Sequence, residues 1–161
     1  MKASAILISS VTLFLMSYSC QSDNASEPIN SESMQSSANV TAVECTGQTN
    51  NYTLHVTIAS PDTGCDQYAD WWEVFTPDGS LIYRRILAHS HVDEQPFTRS
   101  GGIVAVTPDQ EIIVRAHMNN LGYGTQVYRG NVGTGLIQDS LAADFAIALE
   151  TTEPLPSDCA F

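Results

Sequence analysis

Two histidines one residue apart, His89-Ser90-His91, lie in the stretch RRILAHSHVDEQPFTRSGG, residues 84–102, together with Arg84, Arg85 and Arg99. On an extended strand residues i and i+2 point the same way, so both imidazoles can approach a single metal ion. If a strand beginning at Leu81 runs on without a bulge, Arg85 shares their face. His117 lies on the polar face of another strand, with His55 as the alternative, and either supplies a third ligand if the faces meet. Three imidazoles on a β scaffold with an open position suit Zn(II) or Cu(II). Glu73 and Glu94 are available as oxygen ligands or as partners for a ligand's second ring nitrogen. Met118 would suit Cu(I), but its parity groups it with the apolar residues of its strand, and a core position fits it better. The competing account of the histidines is structural, because an HxH pair arises by chance and the polar face of a sheet is an ordinary place for imidazoles.

The arginines carry a second reading. Arg84 and Arg85 face opposite ways on a strand, so one of them requires a carboxylate, with Asp70, Glu73, Asp93 and Glu94 available. Arg99 follows Pro96 in EQPFTRSGG, read as a non-repetitive loop that Gly101 and Gly102 permit. There it can receive a carboxylate, sulfate or phosphate, or bond local carbonyls. Trp71 and Trp72 also point to opposite faces; one belongs to a core and the other can stack on a sugar ring or a protein partner. Trp71, Arg85 and Arg99 are therefore the candidate contacts for a non-metal ligand. No GxSxG, HExxH or phosphate loop occurs, and Cys45 has no His partner in sequence, which favours binding over catalysis.

The elements that must position these residues read as β. YTLHVTIAS (52–60) sets Leu54, Val56 and Ile58 against His55 and Thr57, and ADWWEVFT (69–76) sets Trp72 and Val74 against Trp71, Glu73 and Phe75. TPDGS then turns the chain into LIYRRILAH, the clearest hairpin. IVAV, EIIVRAHMN and a segment around Gln126 to Arg129 complete seven or so strands. SLAADFAIALE (140–150) suits a short helix through Leu141, Phe145 and Leu149, with a last strand as the alternative. The expected fold is mainly β: a small β-sandwich, immunoglobulin-like or jelly-roll-like, with Trp72 central and a short C-terminal helix.

Residues 1–19 read as a signal peptide: one charge at Lys2, then an apolar run from Ile6 to Met16 too short to span a bilayer. QSDNASEPINSESMQSSAN, after Cys20, lacks the apolar residues to fold, so 20–39 is expected to be a lipidated cysteine and tether, and 40–161 one β-sandwich domain. The whole chain carries a formal charge of −12, with Lys2 its only lysine. That acidity argues against nucleic acid, leaving a small molecule, glycan or protein as ligand and the lipid as the link to a membrane. In an exported chain thiols oxidise. Antiparallel pairing of the strands around Cys45 and after Asn51 puts Cys45 far from Cys65, so the expected disulfide is Cys65–Cys159, with Cys45 left over.

The leader ending in Ser17-Tyr18-Ser19-Cys20 resembles the lipobox of bacterial lipoproteins, which implies lipidation of Cys20 and a place in the cell envelope, facing periplasm or exterior. Ser17 and Tyr18 depart from the aliphatic and small residues usual there. The block from YADWWEV to HSHVDEQPFTRSGG resembles domains of uncharacterised secreted bacterial proteins, a resemblance that implies no activity.

Overall fold

The fold is taken from a computed structural model that describes residues 37–160. The expected signal peptide of residues 1–19, the cysteine expected to be lipidated, Cys20, and most of the expected tether of residues 20–39 fall outside the described residues. Ala38 and Asn39, at the tether's end, are buried, and the first strand already begins at Asn39.

Nine strands follow in order: β1 Asn39–Gln48, β2 Asn51–Ala59, β3 Ala69–Phe75, β4 Leu81–Ile86, β5 Phe97–Val104, β6 Ile112–Met118, β7 Gly122–Tyr123, β8 Gln126–Asn131 and β9 Gly135–Ser140. They form two antiparallel sheets, one ordered β1-β2-β5 and the other β4-β3-β6-β8-β9 with β7 beside β6. This is the expected β-sandwich. Leu54, Val56 and Ile58 from the small sheet meet Trp72, Val74, Val114 and Ala116 from the large one, as the alternation requires. Across the open side, β8 reaches β1 through side chains: Gln126 Nε2 donates to Val40 O (2.8 Å) and Tyr128 Oη to Thr41 O (2.7 Å).

The outer face of the large sheet is also covered. Trp71, Phe75, Ile113, Tyr123 and Val127 form a second apolar cluster under Leu141, Phe145 and Leu149. The covering segment is not the expected α-helix of residues 140–150; it is a series of turns ending in a 3-10 turn, Ile147–Thr151. Its carbonyls explain the difference, because they point to side chains instead of closing a helix. Arg84 donates to the carbonyls of Leu149 (2.6 Å), Thr152 (2.6 Å) and Pro154 (3.0 Å), and Arg115 to that of Phe145 (2.6 Å). Glu73 sits between the two guanidinia, 2.9 Å from Arg84 Nε and 2.8 Å from Arg115 Nε, with all three side chains buried. Arg84 is thus the partner-bound arginine of the Arg84-Arg85 pair, and Arg85 is exposed.

Two further expectations change. FTRSGG is strand β5, paired with β2, and not a loop. A Cβ on Gly101 would lie 2.7 Å from Tyr83 Oη and 2.8 Å from the Trp72 ring, so that glycine lets the sheets approach instead of breaking a strand. In contrast, β4 stops at Ile86, and residues 87–96, with both histidines, form an irregular connection. The Cys65–Cys159 disulfide is present, and Ala160 N donates to Ala88 O (2.6 Å), which lays the tail against this connection. Cys45 is free and half-buried, opposite Leu54, and burial pushes its thiol pKa up.

Candidate functional site

The β4–β5 connection takes its shape from Asp62, in the β2–β3 connection. This buried carboxylate accepts from Ser60 Oγ (2.7 Å), Ala69 N (3.0 Å) and His91 N (2.8 Å), tying three segments to one point. Gln95 adds a second brace, donating to His91 O and accepting from Ser60 N. With its backbone held, His91 turns its ring inward, where it stacks on Phe97 at 3.8 Å and lies 4.6 Å from the His89 ring.

His91 is only 3% exposed, and neither of its ring nitrogens has a hydrogen-bond partner among the described residues. The nearest carboxylate oxygen, on Asp62, is 3.8 Å from Nδ1, beyond hydrogen-bond reach. Burial, helped by the Arg99 and His89 charges, pulls the His91 pKa down to about 4, so the imidazole is neutral at physiological pH. A neutral imidazole offers one donor and one acceptor, and both are here unsatisfied.

The pair borders two cavities. One, of about 130 Å³, is lined by Arg85, His89, His91 and Arg99 and by the chain from Ile86 to Ala88. The other, of about 420 Å³, is lined by Gly64, Asp93, Glu94 and the residues from His89 to Val92. Arg99 is oriented by Glu94, 2.5 Å away, and its guanidinium lies 5.4 Å from the Phe97 ring centre. The hydrogen bond from Arg99, together with its charge, holds the Glu94 carboxyl below the usual range. Nitrogen donors dominate the smaller cavity, and carboxylates appear only in the larger.

The other two histidines are engaged elsewhere. His117 stacks on Trp71 at 3.6 Å, bonds Asp70 Oδ1 through Nδ1 (2.7 Å) and approaches Glu150 through Nε2 (3.5 Å). His55 bonds Ser100 Oγ through Nδ1 (2.7 Å) and Thr46 Oγ1 through Nε2 (3.3 Å) on the outside of the small sheet. Among the described residues no group of three His, Cys, Asp or Glu side chains stands ready to hold a metal. Of the expected contacts, Arg85 and Arg99 join His89 and His91, but Trp71 does not. Trp71 is 4% exposed, held between His117 and the Arg84 guanidinium beneath the C-terminal segment, so it presents no stacking surface.

No family model matches the chain, and no solved structure matches it. Over 71 residues it is 44% identical to a protein of Halomicrobium mukohataei named "Putative lipoprotein". The match takes in 44% of this chain and 35% of that relative, so the chain spans about a third of the relative's length.

Asp62 and Phe97, which shape the site, carried no signal in the sequence. Asp62 lies in a turn-forming SPDTG, where an aspartate is expected for local reasons alone. One of its three bonds reaches His91, across the β3–β4 hairpin, and no spacing rule anticipates it.

Proposed function

We propose that this chain is an exported, lipid-anchored binding domain that captures a small anionic ligand, carboxylate- or phosphate-bearing, in the cavity between Arg85, His89, His91 and Arg99. Export and anchoring are supported by the relative's name, by the leader with Cys20 at its end, and by a disulfide of the kind oxidising compartments maintain. The ligand class follows from one observation: four nitrogen-bearing side chains line one small cavity, while among the described residues no third metal-ligating side chain joins the histidines. Guanidinia recognise planar and tetrahedral oxyanions through paired N–H donors, and a buried imidazole adds a direction-specific bond in a medium where it is strong.

The test is calorimetric titration of the membrane-extracted protein with phosphate, sulfate and a dicarboxylate. Binding of at least one, weakened about tenfold or more in Arg85→Ala/Arg99→Ala, supports the reading. No binding of any of them overturns it.

A second reading keeps the transition metal. His91 is already neutral and its ring lies 4.6 Å from His89, so the pair offers two imidazole donors for Cu(II) or Zn(II), with remaining positions filled from solution. Arg85 and Arg99 oppose a cation there, which places this reading second. Copper or zinc binding that vanishes in His89→Ala/His91→Ala, with no anion binding, would reverse the order.

A further inference from the structure

The chain contains three Asn-x-Ser/Thr triplets: Asn24-Ala25-Ser26, Asn39-Val40-Thr41 and Asn51-Tyr52-Thr53. Such a triplet is an acceptor for N-linked sugar only where the asparagine amide is within reach of a transferase. The first lies outside the described residues. The other two differ sharply in reach.

Asn39 is 7% exposed at the start of β1, paired with Ala59, and its Oδ1 accepts from Gln126 N (3.3 Å). A sugar on its amide would have to displace the buried join between β1 and β8. Asn51 occupies the opposite situation. It is the first residue after the two-residue turn Thr49–Asn50, pairs with Gln48, and closes a run from Thr46 to Asn51 in which every residue is exposed. The turn is settled by Asn50, whose φ of 62° lies in the left-handed region that asparagine tolerates. Period two then puts Asn51 and Thr53 on the same side of β2, with His55 and Thr57, while Leu54, Val56 and Ile58 face the core. The exposed amide that would be modified and the half-buried hydroxyl a transferase must read therefore lie on the same outer face of the strand.

The tip is also well placed. Asn51 and Ile58 are seven residues apart on β2, about 23 Å at strand rise, and Ile58 pairs with Phe97, on which His91 stacks. The same register pairs Asn39 with Ala59, so the chain enters the domain at the end away from Asn51. A sugar at the tip obstructs neither the candidate cleft nor the route to an N-terminal anchor.

We infer that Asn51 is an N-glycosylation site of the exported protein, an inference that rests on the export proposed above. The donor is a lipid-linked oligosaccharide. Asn51 Nδ2 bonds to the sugar's anomeric carbon, the bond from that carbon to the lipid phosphate oxygen breaks with its electron pair leaving on the phosphate, and the amide proton passes to that leaving group.

The experiment uses the full chain expressed in cells of its source organism, separated into membrane and soluble fractions, with peptide mass spectrometry under non-reducing and reducing conditions. The expected result is a glycan mass on the peptide containing Asn51 in the majority of molecules, none on Asn39, loss of the mass in Thr53→Ala and its retention in Thr53→Ser. Membrane-bound protein carrying the Cys65–Cys159 disulfide but an unmodified Asn51 would overturn this inference and leave export standing. Reduced protein in the cytosolic fraction would overturn both.

Discussion

At the scale of single residues, His91 decides both the site's chemistry and its response to acid. Its folded-state pKa of about 4 lies below the 6.5 of an unperturbed imidazole, so as pH falls the unfolded chain takes up this proton first. The neutral ring therefore contributes stability that is fully present above pH 6.5 and is lost as the pH falls towards 4. A shift of that size corresponds to about 3 kcal/mol. His91→Phe keeps an aromatic ring against Phe97 but cannot protonate. Urea denaturation at pH 7 and at pH 4.5 should show the wild type losing about 2–3 kcal/mol more between the two than the variant. Equal losses would mean that His91 is not held neutral. Residue types at this site were readable in the sequence, since HxH and the nearby arginines stand out in an acidic chain. Their geometry was not, because alternation assumes a strand, and the chain leaves β4 at Ile86, three residues before His89.

At the scale of elements, β3 shows how far alternation carries. Its two faces sort as read, Trp72 and Val74 to the inner core and Trp71, Glu73 and Phe75 to the outer face. What alternation cannot say is that the outer face is covered too, leaving all seven residues of β3 buried. The cover is sequence-distant and is held by Arg84 and Arg115 bonding backbone carbonyls, with Glu73 bonded to both guanidinia as their shared counter-charge. Removing that carboxylate leaves two cations buried without a counter-charge. Glu73→Ala should cost about 3–5 kcal/mol in chemical denaturation and raise hydrogen exchange in residues 145–154. A loss under about 1 kcal/mol would show that the arginines are satisfied by the carbonyls alone. β5 gives the converse lesson. Its Gly-Gly reads as loop chemistry in sequence, yet Gly101 is required by the nearness of Tyr83 and Trp72, a contact between sheets that local pattern does not contain.

At the scale of the whole molecule, fold class was legible because turn chemistry and period-two runs are local properties, and the Cys65–Cys159 link because antiparallel pairing around Cys45 separates it from Cys65. Strand count was less so: β9 and the two-residue β7 lie in a glycine-rich stretch whose weak apolar pattern gives little signal. The disulfide joins positions 94 residues apart and holds the tail beside the candidate cleft, with Gly64 lining the larger cavity and Ala160 bonded to Ala88. Replacing both cysteines by serine should lower stability by about 2–4 kcal/mol, read as a shift in denaturation midpoint against the oxidised protein. It should also weaken ligand binding at the His91 cavity, whereas a midpoint shift with unchanged affinity would separate the tail from the site.

The same bond makes a closed ring of the polypeptide from residue 65 to residue 159, and β3 to β9 all lie on it. A peptidase that severs one exposed loop within the ring opens it without parting it. The nicked molecule migrates as a single species until a reductant is added, and its strands stay in register for the cut to be tolerated. Among the described strands only β1 and β2 lie off the ring, so a cut between Cys65 and the start of β1 is the one that can release a described strand under oxidising conditions.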